Sequence, residues 1–230
     1  MDEGTTPGRI ILFGNEKGGT GKTTLATTFA VLAAERGMDT LLVDADVQTS
    51  AKTWYDARRE LHPELPDFAC TVGRGRIAVD LRGFARKYAL VVVDAGGHDS
   101  VELRQAMAVC TTLVVPIRPS QFDAWALDKI HVMLQQLDEQ LDLRLDARLL
   151  LNATSPNPLS REAAEVREAL ADIYAKRMPL MACSVPERAA YRRAARDGLS
   201  VADPVAASLP GRTDMLAMFN EVLNGQAAQD

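Results

Sequence analysis

The chain is poor in the residues that build stapled or metal-held scaffolds. Over 230 residues it has 3 cysteines (Cys70, Cys110, Cys183) and 3 histidines (His62, His98, His131). They are dispersed, form no CxxC pair and no even framework, and so argue against a disulfide scaffold or a structural zinc. A reducing compartment is expected. No apolar run approaches the ~20 residues of a membrane span. The segment from Met1 to Gly8 is acidic and polar and lacks the apolar core of a signal peptide, so a cytoplasmic location is expected. Positive charge is in deficit, with 26 Lys+Arg against 31 Asp+Glu and a formal net charge of −5. That excludes a uniformly basic nucleic-acid coat but leaves room for a local basic patch. Low-complexity tracts and solenoid-type repeats are absent too. What remains is ordinary globular composition, 47% hydrophobic and 25% charged. The expectation is one domain over 1–230, with 1–8 and 225–230 as flexible ends.

What is present is an alternation. Short apolar runs at Arg9–Phe13, Thr40–Val43, Leu90–Val93, Thr112–Pro116 and Arg148–Leu151 read as buried strands. Shorter strands are expected at Phe68–Val72 and Leu180–Val185. Helical patterns lie between them: Lys22–Arg36 closing at Gly37, Ser50–Glu60, Ile77–Tyr88, Val101–Val109, Phe122–Gln140 and Ser160–Ala175 with Ser160 as N-cap. Pro186–Arg196 and Asp214–Leu223 follow. Strands alternating with helices of this length predict an α/β fold, a mostly parallel sheet covered on both faces. In such sheets ligands bind at the carboxyl ends of the strands. Gly14–Gly21, Asp44–Gln48, Asp94–Gly97 and Asn152 all fall at such ends, so they are expected to converge.

The first of these ends is the most informative. Lys17-Gly18-Gly19-Thr20-Gly21-Lys22-Thr23-Thr24 stands directly after a strand and before a helix, the context a phosphate-binding loop requires. Glycines let successive backbone N–H groups face one anion, and the helix N-terminus adds partial positive charge. Lys22 can reach the β and γ phosphates, the Thr23 hydroxyl can ligate Mg²⁺, and Thr24 can donate a further hydrogen bond. The strict pattern would place glycine where this chain has Glu16.

The segment Lys17–Thr24 resembles the deviant Walker A motif of the ParA/MinD ATPases, closest to short ParA-type partition ATPases. The resemblance implies that Lys17 is a signature lysine that reaches the phosphates bound by a second subunit. Two subunits would then sandwich two ATP molecules. Val43-Asp44-Ala45-Asp46-Val47-Gln48 resembles the family's DxDPQ segment, with Val47 in place of proline. By that match Asp44 lies near the Mg²⁺ hydration shell and Asp46 positions the attacking water. Val91-Val92-Val93-Asp94 reads as Walker B, so Asp94 holds Mg²⁺ through water. Ala95-Gly96-Gly97 follows where the family often has Thr-Pro-Pro. Asp99-Ser100, Leu103-Arg104 and Pro119–Asp123 also resemble the partition branch. The family places an asparagine at the adenine edge, implying that role for Asn152; a buried asparagine capping its own loop is the alternative.

Arg188, Arg192, Arg193 and Arg196 crowd the segment after Pro186, and positions 188, 192 and 196 recur on one helical face. They can neutralise DNA phosphates without reading sequence, or form a solvated face paired with Glu187 and Asp197. The resemblance implies ATP-dependent homodimerisation, nonspecific binding to double-stranded DNA and nucleoid association in a bacterial cytoplasm. It also implies hydrolysis stimulated by a ParB-like partner, with DNA or another cargo moved as a result. Alternatives are a P-loop metabolic enzyme, for which no dedicated pocket insertion is visible, a MinD-like positioning ATPase, or a redox relative. A MinD-like membrane anchor is not expected, because Met215–Asp230 carries no Lys or Arg. A redox relative would need cysteines that hold a cluster, whereas Cys110 reads as a small core residue.

Overall fold

The computed structural model describes residues 7–97, 100–119, 124–142, 144–157, 159–171, 174 and 176–225. Parts of the partition-like blocks (Asp99 and Ser120–Asp123), the expected start of the fifth helix, and most of both expected flexible ends lie outside these.

The chain alternates as β1 (Arg9–Phe13), α1 (Lys22–Glu35), β2 (Thr40–Ala45), α2 (Ser50–Leu61), β3 (Ala69–Val72), α3 (Ile77–Ala85), β4 (Leu90–Ala95) and α4 (Val101–Met107). It continues as β5 (Thr112–Ile117), α5 (Ala124–Leu141), β6 (Asp146–Thr154), α6 (Glu162–Ala171), β7 (Leu180–Pro186), α7 (Ala189–Arg196) and α8 (Arg212–Asn224), with a 3₁₀ turn at Pro204–Ala206. The strands form one sheet in the order β3-β2-β4-β1-β5-β6-β7. Every pairing is parallel, so the expected α/β fold is the fold found.

Strand parity divides the core into two layers. Ile10, Leu12, Val91 and Val93 face α3, α4, α5 and α6. Ile11, Phe13, Leu42, Val92 and Leu150 face α1, α2, α7 and α8. Parity also aims the acids. Asp44 follows Leu42 by two and Asp94 follows Val92 by two, so both carboxylates emerge on the α1 side. They are register partners on adjacent strands.

Several expected boundaries move. β2 and β4 run through their terminal acids to Ala45 and Ala95, because burial on both faces keeps these residues in the ladder. β6 extends to Thr154, so Asn152 lies inside a strand rather than after it. α6 begins at Glu162, which removes Ser160 from the N-cap position. α7 begins at Ala189, since Pro186 closes β7. α8 docks as expected, with Met215, Met218, Phe219 and Val222 all 0% exposed. Cys110 lies in the α3–α6 layer, where burial raises its thiol pKa.

One buried ion pair braces the α1 side. Arg58 of α2 donates from both terminal nitrogens to Asp203, at 2.7 Å each, and both side chains are almost fully enclosed. Asp203 also accepts from the Ser200 N–H at 2.7 Å, and Trp54 Nε1 donates to the Leu199 carbonyl at 3.2 Å. Together these clamp the segment after α7 onto α2. Asp203→Ala strands the Arg58 charge in the interior. It is expected to lower stability by about 3–5 kcal/mol, measured by urea unfolding, with Arg58→Met/Asp203→Ala regaining part of the loss.

Candidate nucleotide site

β1 ends under α1, so the connecting loop must reverse tightly over the sheet. Gly19 and Gly21 do this at φ +74° and +90°, conformations open to glycine at little steric cost. At Gly21 a second constraint applies: a Cβ there would stand 2.2 Å from Asn152 Nδ2. Asn15 Nδ2 donates to the Pro116 carbonyl at 2.8 Å while its Oδ1 accepts from the Lys17 N–H at 3.0 Å. Asn152 Nδ2 donates to the Thr20 carbonyl at 2.6 Å. Asn152 thus braces the phosphate loop from β6, a role neither sequence reading gave it.

Lys22 is buried at the start of α1, and its Nζ donates to the Lys17 carbonyl at 3.0 Å. Burial lowers its pKa, and Asp94 and Asp46 oppose that. Gly18 and Gly19 are exposed at the loop crown, and Lys17 is half-buried beside it. Glu16, where glycine is usual, is largely buried: its Oε2 pairs with Lys129 of α5 at 3.1 Å, while its Oε1 has no hydrogen-bond partner among the described residues.

The two strand-end acids have different fates. Asp44 is fully buried, but Oδ1 accepts from the Asp46 N–H at 3.0 Å and Oδ2 from the Lys52 N–H at 2.8 Å. Burial raises its pKa, and these bonds counter the rise. Asp44 therefore anchors the first turn of α2. Asp94 is also 0% exposed, yet neither oxygen closes a well-formed hydrogen bond among the described residues. Burial pushes its pKa to about 7, with Thr23 and Lys22 nearby pulling it down. Asp46 is half-buried and its Oδ1 accepts from the Gln48 N–H at 3.0 Å. A Cβ on Gly96 would lie 3.4 Å from its Cγ. Gly97 packs so tightly on the loop that a Cβ would meet Gly18 Cα at 3.0 Å. The Gly96-Gly97 segment thus lies between the water-positioning candidate and the phosphate loop.

Thr23, Asp44 and Asp94 fit an Mg²⁺ site of the P-loop kind. A buried carboxylate with unused lone pairs beside a hydroxyl is the donor set such an ion needs once nucleotide oxygens and water complete it. Among the described residues no three His, Cys, Asp or Glu side chains are grouped to hold a metal by themselves.

Sequence reasoning missed several contributors. Arg74 donates to the Asp44 carbonyl at 3.0 Å, to the Gly73 carbonyl at 2.6 Å and to the Asp46 carbonyl. A charged residue between two glycines at a strand end was the available signal. Beside the loop, a cavity of about 200 Å³ is lined by Gly19, Gly21, Thr24, Asn152, Arg118 and Arg188 among others. A larger groove of about 600 Å³ runs between α1, α2 and α7, past Thr24, Thr28, Thr53, Trp54 and Tyr191. No insertion was needed to make it.

The family model described as the CobQ/CobB/MinD/ParA nucleotide binding domain matches residues 11–201. The chain belongs to this family. Within it, the chain is 31% identical over 215 residues to the maintenance of carboxysome distribution protein A of Halothiobacillus neapolitanus, covering 91% of this chain and 94% of that one. Among solved structures it resembles apo McdA of Cyanthece, with a TM-score of 0.76 at 15% identity over 94% of this chain and 99% of that one. It also resembles the septum site-determining protein MinD of Pyrococcus horikoshii, solved with Mg-ADP, with a TM-score of 0.70 at 18% identity over 96% and 99% of the two chains. At these identities the two likenesses establish the MinD/ParA fold.

The arginine cluster divides. Arg188 precedes α7 in extended backbone, and its Nε donates to Asp214 at 2.7 Å, so it leaves the outward face expected for it. Arg192, Arg193 and Arg196 are exposed. Arg192 pairs with Glu187 at 3.1 Å and Arg196 with Asp197 at 3.2 Å, the partners anticipated for a solvated face. Among the described residues no helix is long and apolar enough to cross a membrane.

Asp94 makes the stability of the nucleotide-free chain depend on pH. Its folded pKa, near 7, lies above its ordinary 3.8. Between those values the folded chain holds the extra proton, so stability of the nucleotide-free chain falls as pH rises through the window and levels off above it. Asp94→Asn removes the ionisation. It should stabilise the nucleotide-free chain by about 1–3 kcal/mol at about pH 8, with little gain at about pH 4.5, read from thermal melts at the two values.

Proposed function

We propose that the chain is a ParA-type ATPase: it binds ATP with Mg²⁺, closes into a homodimer, holds double-stranded DNA nonspecifically, and releases it when a partner stimulates hydrolysis. The observation carrying this reading is the buried Asp94, whose oxygens close no well-formed hydrogen bond among the described residues, beneath a glycine loop whose buried Lys22 is folded back onto that loop's own carbonyl. Such a set would be completed by a phosphate–metal ligand, with Lys22 available to the phosphates and Asp94 to the metal. When bound, Mg²⁺ would supply neutralisation of the phosphate charge. Thr23, Asp44 and Asp94 are the residues that would hold it.

The remaining roles belong to this chain's side chains. The backbone N–H groups of Gly18–Thr24 receive phosphate oxygens, and the cavity over Gly21, Thr24 and Asn152 receives the nucleoside. Asp46 orients the attacking water while Gly96-Gly97 follows the γ-phosphate. Lys17 adds its ammonium to the nucleotide of the second subunit. Similarity to a carboxysome distribution protein favours a protein assembly as cargo beside plasmid or chromosome, with a ParB-like or other adaptor as the stimulating partner. This scheme places the protein on the nucleoid in the cytoplasm. Arg192, Arg193 and Arg196 supply the DNA contact, and Arg188 helps to wall the nucleoside cavity instead.

A second reading, a small-molecule phosphotransferase or ligase, draws support from the groove past Thr24 and Trp54. ATP turnover that depends on an added small acceptor would favour it.

Sedimentation with ATP, ADP or no nucleotide, with and without nonspecific duplex DNA, tests the main reading. A dimer that forms with ATP and retains DNA is expected; a monomer in all states overturns it. Lys17→Gln should keep ATP binding while hydrolysis falls by about tenfold or more, and unchanged turnover would remove the signature role. Arg192→Glu with Arg193→Glu should abolish DNA retention at low salt. For the wild type, retention should fall steeply as salt rises.

A further inference from the structure

Glu187 holds two arginines at once. Its Oε2 accepts from Arg118 Nη2 at 3.1 Å, and its Oε1 accepts from Arg192 Nη1 at 3.1 Å. Its own backbone is anchored, since the Glu187 N–H donates to the Thr154 carbonyl at 2.8 Å. Arg118 leaves β5 on the loop facing the phosphate loop. Its Nη1 reaches the Gly19 carbonyl only at the hydrogen-bond limit of 3.5 Å. Its Nε is buried and has no hydrogen-bond partner among the described residues.

Arg118 also stands at the junction of two spaces. It lines the cavity of about 200 Å³ with Gly19, Gly21, Thr24 and Asn152. It lines the narrow gap that holds Lys17 and Thr20 as well. A guanidinium with unused donors at the rim of a phosphate loop is matched to phosphate oxygens, which it can grip through two parallel N–H groups. The Glu187 contact that holds it meanwhile is partly exposed, with side chains 24% and 44% accessible. Such pairs are weak and readily exchanged.

Resting on the nucleotide reading above, we propose that Arg118 is a third phosphate-binding cation of this site, beside Lys17 and Lys22, and that Glu187 is its built-in competitor. Without nucleotide, Glu187 neutralises Arg118. With nucleotide, the guanidinium transfers to a phosphate oxygen, and Glu187 is left to Arg192 alone. The carboxylate thus sets how much of the phosphate affinity is spent on breaking an internal contact.

Titration calorimetry of the full chain with ATP, ADP and adenosine tests this. Arg118→Ala should weaken ATP and ADP by about tenfold and leave adenosine unchanged, with Arg118→Lys in between. Glu187→Gln should tighten ATP by a few fold. The decisive arm is the double variant. If Glu187 acts through Arg118, the gain vanishes in Arg118→Ala/Glu187→Gln. If it persists there, Glu187 merely repels the anion and the competitor role fails. Unchanged ATP and ADP affinity in Arg118→Ala overturns the cation role. Lys22→Ala serves as the reference: wild-type ATP affinity in that variant would overturn the nucleotide reading itself rather than the part played by Arg118.

Discussion

Two carboxylates are buried at the ends of neighbouring parallel strands, and the site is arranged around that cost. Asp44 and Asp94 sit side by side on β2 and β4, both 0% exposed. A buried charge is expensive unless it is paired or hydrogen-bonded. Asp44 meets the requirement with two backbone N–H groups at the start of α2. Asp94 does not meet it, and its carboxyl shifts toward the protonated form. That unmet requirement lies under the loop where a metal–phosphate ligand would relieve it.

The same acids connect the site to the rest of the α1 layer. Through Lys52, Asp44 fixes the first turn of α2. Farther along that helix Trp54 and Arg58 hold the segment that follows α7. α2 is thus a strut between the Asp44–Gln48 turn and the arginine helix. From the other side Glu187 joins α7 to Arg118 and hence to the phosphate loop. The cavity beside the phosphate loop and the arginine face share walls, so a change in one has short physical routes to the other.

Much of this was legible in the chain. The βα alternation, the strand ends carrying Gly14–Gly21, Asp44 and Asp94, and the docking of α8 follow from apolar periodicity and from where it breaks. Residues that act at a distance were not legible. Arg118 belongs to no recognisable local pattern, and although Glu187 was legible as a partner of the arginine face and Arg74 as a charge between glycines, their contacts with Arg118 and with the Asp44 and Asp46 carbonyls bridge separate elements. Asn152 was singled out for other roles, and its contact with Thr20, which spans 132 positions, was not legible. Arg188 was assigned to a helical face by spacing alone, and the extended backbone after Pro186 removed it from that face.

By itself, the sequence determined what is local: a loop with the glycines and lysines that phosphate needs, strands buried on both faces, and acids at their carboxyl ends. These follow from side-chain chemistry and the periods of strand and helix. Only the tertiary structure decided which of two identical carboxylates is satisfied and which is left unpaired. It also decided which arginines face solvent and which wall a cavity. Such outcomes depend on burial and on partners brought from remote segments, and no spacing along the chain records either.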